Sequence, residues 1–337
     1  MNRKQWNISE RAAALHADAV VCDMTLPIGT PGDPKLKDAV PQKLVDAGFD
    51  FVSITVNGEE SDMASSIKAL ARDRAYILRR PDQCILVDRF EDVLRAKAEG
   101  KLAVGLHFQD SVQVGRNIEM VEVFYKLGIR HMLLAYNQKN FVADGCHELG
   151  GGGLSRFGRD LITEMNRVGM FVDVAHTGYQ ASMEAIEYSD KPVIVSHGNV
   201  WGLHEHPRCY RDDQIKAISQ SGGVIGLTGL SIFTGDQSAS VESYVDQIDY
   251  VVRLVGPQHV GFGFDYVFDL PALTSFAATM SDRWPSDGGY TRSDIRQIEI
   301  ADVPRITQTL LDRGHTEGDV RLILGENWLR LMRQIWK

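Results

Sequence analysis

Short β-branched apolar runs alternate along the chain with longer segments whose apolar residues recur at helical spacing, the pattern of parallel strands joined by crossover helices. The runs fall at 19–24 (AVVCDM), 50–56 (DFVSITV), 102–108 (LAVGLHF), 129–136 (IRHMLLAY), 170–176 (MFVDVAH), 192–197 (PVIVSH), 223–229 (GVIGLTG) and 259–265 (HVGFGFD). Between them NIEMVEVFYKLG, SRFGRDLITEMNRVG, RDDQIKAISQSGG and SYVDQIDYVVRLVG each close on a glycine able to take the left-handed cap conformation. Eight strands with helices between them, in a chain of 337 residues, predict a closed (β/α)8 TIM barrel spanning 1–337 as a single domain. A doubly wound open sheet is the alternative, although no Gly-x-Gly-x-x-Gly follows the first strand to support its dinucleotide-binding form. The opening MNRKQWNISERAAALHADAV reads as an amphipathic helix leading into the first strand. Long loops are expected at 136–153 and 271–294, where they would shape the mouth of a barrel.

Two of the apolar runs end on histidine. His176 and His197 are thereby placed at the C-terminal ends of the fifth and sixth strands, the face on which barrel enzymes carry their chemistry, and Asp265 ends the eighth strand in the same way. Neutral imidazoles at neighbouring strand ends are natural zinc ligands, and a carboxylate across the mouth can take the proton of an activated water. A single such histidine could equally cap its strand and bind a loop; the three together favour a site. Alternation along the first strand puts Asp23 and Thr25 on one face, and along the third it puts His107 and Gln109 on one face. Asp23 could complete a His, His, carboxylate set or serve as a turn residue before Pro27. Gln109 could be a weak oxygen ligand or a hydrogen-bond donor, and His107 reads as a satisfied core histidine. In HEHPRCYRDDQ, Arg208 could fix a substrate carboxylate bidentately or form a surface ion pair, and Asp212 reads as a helix cap.

Composition narrows the ligand class. With 44% hydrophobic and 24% charged residues the chain can bury a large core, and a formal net charge of -9 without a Lys/Arg cluster argues against a nucleic-acid groove. A small-molecule substrate becomes the expectation. No apolar run approaches the roughly 20 residues that span a bilayer, and the N-terminal stretch lacks the apolar core of a secretion signal. Four dispersed cysteines without a Cys-x-x-Cys pair suit reduced thiols, so a cytoplasmic location away from membranes is expected. The glycine-rich GCHELGGGG at 145–153 reads as ordinary loop, with Cys146, His147 and Glu148 as possible mouth residues.

From about Val20 onward the chain resembles the membrane (renal) dipeptidases, zinc peptidases of the amidohydrolase-like barrel group. GLSRFGRDLITEMNRVGMFVDVAH, PVIVSHGN, HPRCYRDDQIKAISQSGGVIGL, VDQIDYVVRLVGPQHVGFGFD and GENWLRLMRQ carry the resemblance. It implies that His176 and His197 bind one zinc of a two-zinc site, that Arg208 holds the substrate's C-terminal carboxylate and that Asp265 handles the proton; it also implies a homodimer. Three positions depart from the family pattern. Asp23-Met24-Thr25 stands where the first strand usually ends His-x-Asp, Gln109 stands for a bridging glutamate, and Tyr136 stands for a histidine near the scissile carbonyl. Without the bridging carboxylate two dications would repel strongly. The expectation is therefore one zinc per chain at most, held by His176, His197 and a carboxylate from Asp23 or Asp265. A water would attack an amide of a dipeptide or similar small carboxylated amide, Asp265 moving the proton and Tyr136 or Asn137 helping to hold the oxyanion. The rivals are a catalytically silent, metal-free binding homologue, and a hydrolase or lyase acting on a non-peptide substrate.

Overall fold

The structure, a computed structural model, describes residues 6–27, 34–58 and 61–337. The first five residues of the expected amphipathic N-terminal segment lie outside these, and its helix forms over Glu10–Asp18, with the Ser9 hydroxyl accepting from the Ala12 N–H. Ten strands follow among the described residues: β1 (Cys22–Leu26), β2 (Phe51–Asn57), β3 (Cys84–Leu86), β4 (Leu102–Phe108), β5 (Ile129–Leu133), β6 (Phe171–Asp173), β7 (Val195–Val200), β8 (Cys209–Tyr210), β9 (Ile225–Leu227) and β10 (Val260–Phe262). All ladders between them are parallel, in the order β6-β5-β4-β2-β1-β10-β9-β7-β8, with β3 added beside β4. The result is a curled α/β sheet flanked by helices. Its β6 and β7 margins meet in one isolated parallel bridge, Asp173↔Ile194, rather than in a ladder.

Each of the eight expected strands is present. Hydrophobic patterning missed two, β3 and β8, of three and two residues; β8 is too short to show a period. The helices take their bounds from caps: that over Arg156–Val168 starts on Ser155, whose Oγ accepts from the Gly158 N–H, and stops at Gly169 with φ 91°. The segment 271–294, expected as a loop, instead opens within a helix over Leu270–Ala278 and carries a short 3-10 turn at Ser286–Gly288.

Strand alternation sorts the core into two faces. Val52, Ile54, Val104, Leu106, Met132 and Val172 join the larger apolar cluster with the helices, whereas Phe51, Ala103, Phe171, Ile194 and Val224 form a second cluster with Trp328 of the C-terminal helix. Above that second cluster, on the same strand faces, the side chains turn polar: Ser53, His107, His131 and Asp173 are all buried. No helix among the described residues is long and apolar enough to cross a membrane.

Close backbone packing fixes β7 against the loop after β10. A Cβ at Gly263 would lie 1.8 Å from the Ser196 carbonyl oxygen and 3.1 Å from the His197 Cα. Gly263→Ala is expected to destabilise the fold by about 3 kcal/mol, the upper range for overpacking, and to displace His197. Urea unfolding of the two proteins measures it.

Candidate active site

The strands are shorter than their apolar runs, and this places the chemistry just beyond them. β6 stops at Asp173, so His176 lies three residues past its end; β10 stops at Phe262, three short of Asp265; β5 stops at Leu133, before Tyr136. His197 lies inside β7, not at its end. His176 (φ 59°) and Asp265 (φ 54°) take the left-handed backbone region that L-residues rarely adopt, which is why neither can continue a ladder. Such strain costs of order 1–3 kcal/mol per residue and clusters at functional sites.

The two imidazoles face each other, ring centroids 5.0 Å apart. His176 Nδ1 lies 2.7 Å from Asn137 Oδ1, and its ring stacks on Tyr136 at 3.7 Å between centroids. His197 Nδ1 lies 2.8 Å from Ser196 Oγ and 3.1 Å from Thr25 Oγ1. In both residues the remaining nitrogen, Nε2, is buried and has no hydrogen-bond partner. Burial, reinforced by the nearby Arg208 charge, holds both imidazoles well below their usual pKa, so they are neutral at neutral pH with a lone pair to offer.

Arg208 is also buried, at 2% exposure, which excludes the surface ion pair. Its Nη2 donates to the His197 carbonyl oxygen at 3.3 Å, while Nε and Nη1 are left without partners. It lines a cavity of about 220 Å3 with His176, Cys146, Trp201, Pro207 and Tyr210. A buried guanidinium with two donor groups unpartnered by the protein, beside two unpartnered imidazole nitrogens, fits an anionic group and a metal ion.

Asp265 is partly exposed, and burial raises its carboxyl to about 6 against the lowering influence of Arg208. Asp23 is buried and raised to about 7, chiefly by burial, although its Oδ1 accepts from the N–H groups of Thr25 (3.2 Å) and Phe264 (2.9 Å). It thereby ties β1 to the chain leaving β10. Among the described residues no three His, Cys, Asp or Glu side chains converge on a point where a metal could sit. The expected third ligand from Asp23 or Asp265 is not gathered with the histidines.

Gln109 takes the hydrogen-bond-donor alternative, and two further expectations, for Asn137 and Asp212, change. Gln109 is buried and spends its Nε2 on Thr55 Oγ1, and Asn137 spends Oδ1 on His176 and Nδ2 on the Arg283 carbonyl, so Asn137 orients an imidazole where a substrate contact was expected. Asp212 begins its helix without capping it; Gln214 Oε1 accepts from the Arg211 N–H there, and Asp212 accepts from the Tyr250 hydroxyl. The loops around 136–153 and 271–294 do meet over the site: Gln138 donates to the Asp282 carbonyl, His147 pairs with the Tyr290 hydroxyl and His206 Nε2 lies 3.1 Å from the Gly288 carbonyl. His206 and the roles of Ser196 and Thr25 were missed, since loop hydrogen bonds and hydroxyls beside a histidine leave no periodic signal.

Comparison with known proteins shows relatives of this chain. A sequence model of the membrane dipeptidase family, peptidase family M19, matches residues 40–275. Dipeptidase tcpJ of Claviceps purpurea is 28% identical over 82% of this chain and 59% of its own length, and dipeptidase verJ of Clonostachys rogersoniana is 28% identical over 85% of this chain and 68% of its own. The chain thus spans little more than half of the first of these relatives. The crystal structure of an amidohydrolase from Pseudomonas aeruginosa superposes with a TM-score of 0.86 at 32% identity, covering 96% of this chain and 99% of that one. A metallopeptidase from Rhodobacter sphaeroides, solved with a phosphinate mimic of the dipeptide L-Ala-D-Ala, shares the fold at a TM-score of 0.78 and 17% identity, over 95% of this chain and 100% of that one.

Proposed function

The chain belongs to the membrane dipeptidase family, and from that premise we infer that it is a zinc-dependent hydrolase cleaving the amide bond of a dipeptide or similar small carboxylated amide. The observation that carries this reading is the group of unpartnered atoms in one place: His176 Nε2, His197 Nε2 and the Nε and Nη1 of Arg208. Two neutral imidazoles with free inner nitrogens suit one zinc ion, and their outer nitrogens are already held by Asn137, Ser196 and Thr25 as ligand histidines require. The positions for a second ion offer it little charge. Thr25 Oγ1 is engaged with His197, Gln109 is a neutral amide that donates to Thr55, and Asp23, the one carboxylate there, has Oδ1 held by backbone amides.

A zinc ion at the two histidines supplies acidification of water and polarisation of the scissile carbonyl. The protein's own groups do the rest. Arg208 holds the substrate carboxylate with an N–H donor left unpartnered beside its bond to the His197 carbonyl, and so sets the amide against the histidines. Asp265, carried on a strained backbone with its pKa near 6, is ionised at neutral pH and takes the proton of the attacking water, then delivers it to the leaving nitrogen. Tyr136, stacked on His176, and Trp284, edge-on to Tyr136 at 6.0 Å, fence that side against bulk water. In the same reading the curled sheet is that of a single (β/α)8 barrel, with the Asp173↔Ile194 bridge between its margins in support, and the four free cysteines suit a reducing cytoplasm.

The lack of a third gathered ligand favours a second reading, a metal-free homologue that binds a small carboxylate without hydrolysing it. One experiment separates them. A panel of dipeptides and N-acyl amino acids is incubated with zinc-supplemented protein, each beside its C-terminally amidated counterpart. Hydrolysis is expected for the free acids with kcat/KM at least about 100-fold above the amides, the discrimination due when a buried charge is left unpaired. Binding of free acids without turnover selects the silent homologue.

A further inference from the structure

Six polar side chains run in a line through the interior of the curled sheet, and the hydrolysis described above uses none of them. Gln109 Nε2 is 2.8 Å from Thr55 Oγ1, which is 3.0 Å from His107 Nε2; His107 Nδ1 is 2.9 Å from Ser53 Oγ, which is 3.0 Å from His131 Nε2; His131 Nδ1 is 3.0 Å from Asp173 Oδ2. The two imidazoles stack with centroids 4.2 Å apart. All but Thr55 are buried, so these groups must satisfy one another.

The two ends impose a direction. With the Asp173 carboxylate as acceptor and a single proton on the His131 ring, that proton sits on Nδ1 and Nε2 accepts from the Ser53 hydroxyl. Ser53 then accepts from His107 Nδ1–H, His107 Nε2 accepts from the Thr55 hydroxyl, and Thr55 accepts from the Gln109 amide. Every donor meets one acceptor, every group except Asp173 is neutral, and all the protons point from Gln109 toward Asp173. A glutamate at 109 would put an acceptor at both ends, and the chain would need one more proton to stay bonded throughout. A carboxamide is what a neutral chain requires there.

The far end reaches the site. Asp173 Oδ1 accepts from the N–H groups of Ala175 and Ser196, both at 3.0 Å, and these are the residues immediately before His176 and His197. One carboxylate clasps the two segments that present the orphaned imidazoles. Resting on the reading of those imidazoles as zinc ligands, we propose that Gln109 and Asp173 are positioning residues, the two ends of one proton-ordered chain that holds His176 and His197 in register. Gln109 then keeps the chain neutral and is no metal ligand.

The test is 15N-histidine NMR on the full, metal-free protein, where the ring nitrogens report their protonation directly. His107 and His131 are expected as neutral Nδ1–H tautomers. In Asp173→Asn the side-chain oxygen stays with the two backbone N–H donors, so its NH2 turns to His131; the protons of both rings are then expected to move to Nε2, although His107 does not touch residue 173. Adding Ser53→Ala cuts the line, and His107 is expected to keep its Nδ1 proton while His131 stays switched. An Nε2–H tautomer at either ring in the parent, or an unmoved His107 in Asp173→Asn, overturns the chain. Should Asp173→Asn not fold, Gln109→Glu drives the line from its other end and is expected to move the His107 proton to Nε2; an unmoved proton again overturns it. Ring resonances of His176 and His197 that shift in Asp173→Asn support the positioning role, and unshifted ones overturn it. Zinc affinity, read by competition with a chromophoric chelator, is expected to fall roughly tenfold in Asp173→Asn. A parent protein that takes up no zinc sinks the metal reading alone, leaving the tautomers and ring shifts to judge the chain.

Discussion

Asp265→Asn is expected to lower kcat for a dipeptide by about 10²- to 10⁴-fold, the usual worth of a positioned general base, while the fold survives unchanged. Asparagine is the right probe because the position demands φ 54°, and Asn is among the few non-glycine residues that tolerate the left-handed region. The substitution removes the proton acceptor without adding backbone strain. The pH profile gives the second readout. Burial raises the Asp265 carboxyl to about 6 and Arg208 works against the rise, so the base is protonated and idle below that value. In the parent, kcat/KM is expected to climb as pH rises through about 6, and the residual activity of Asp265→Asn is expected to lack that limb. A parent profile that is flat across this range would assign the proton to another group.

Elemental analysis of protein from zinc-replete medium is expected to return about one zinc per chain, and none from the His176→Ala/His197→Ala double variant, with hydrolysis lost alongside. Each histidine contributes a free, neutral Nε2, and no other side chain among the described residues joins them as a gathered ligand. With fewer protein ligands than the usual three, the ion is expected to leave readily to a chelator and to return on dialysis against zinc. Two ions per chain would contradict the charge balance, since the residue at the bridging position is the neutral Gln109 and nothing there offsets two dications a few ångströms apart. Zinc retained by the double variant would move the site elsewhere.

Periodicity announced the strands because a buried parallel strand is apolar on both faces, and eight of the ten could be placed from their β-branched runs. It overstated their ends for the same reason: VDVAH remains apolar after the ladder has stopped at Asp173, and only the left-handed φ of His176, invisible in composition, marks the break. The histidines, Arg208 and Asp265 were readable as candidates since their residue types are rare at strand ends. What Asp23, Gln109 and Asn137 do was not readable, because each is decided by a partner far away in sequence: Phe264, Thr55 and His176. Yet the line of polar residues did leave a trace. Ser53 and Thr55 on one strand, and His107 and Gln109 on another, repeat at the spacing of two that keeps side chains on one face, inside runs otherwise apolar.

The guanidinium of Arg208 is buried with Nε and Nη1 unpartnered by the protein, so an anion beside it is expected to stabilise the fold. Leaving a desolvated charge without its counterion costs about 3–5 kcal/mol, a large share of the stability of an ordinary domain. Whatever anion enters relieves that cost, and the pocket does not ask whether the carboxylate belongs to a substrate. Under the proposed hydrolysis the released amino acid bearing that carboxylate is itself a tenant, and product inhibition through Arg208 is expected. An acetate or citrate buffer is accordingly expected to compete for Arg208, raising the thermal stability while it lowers the rate.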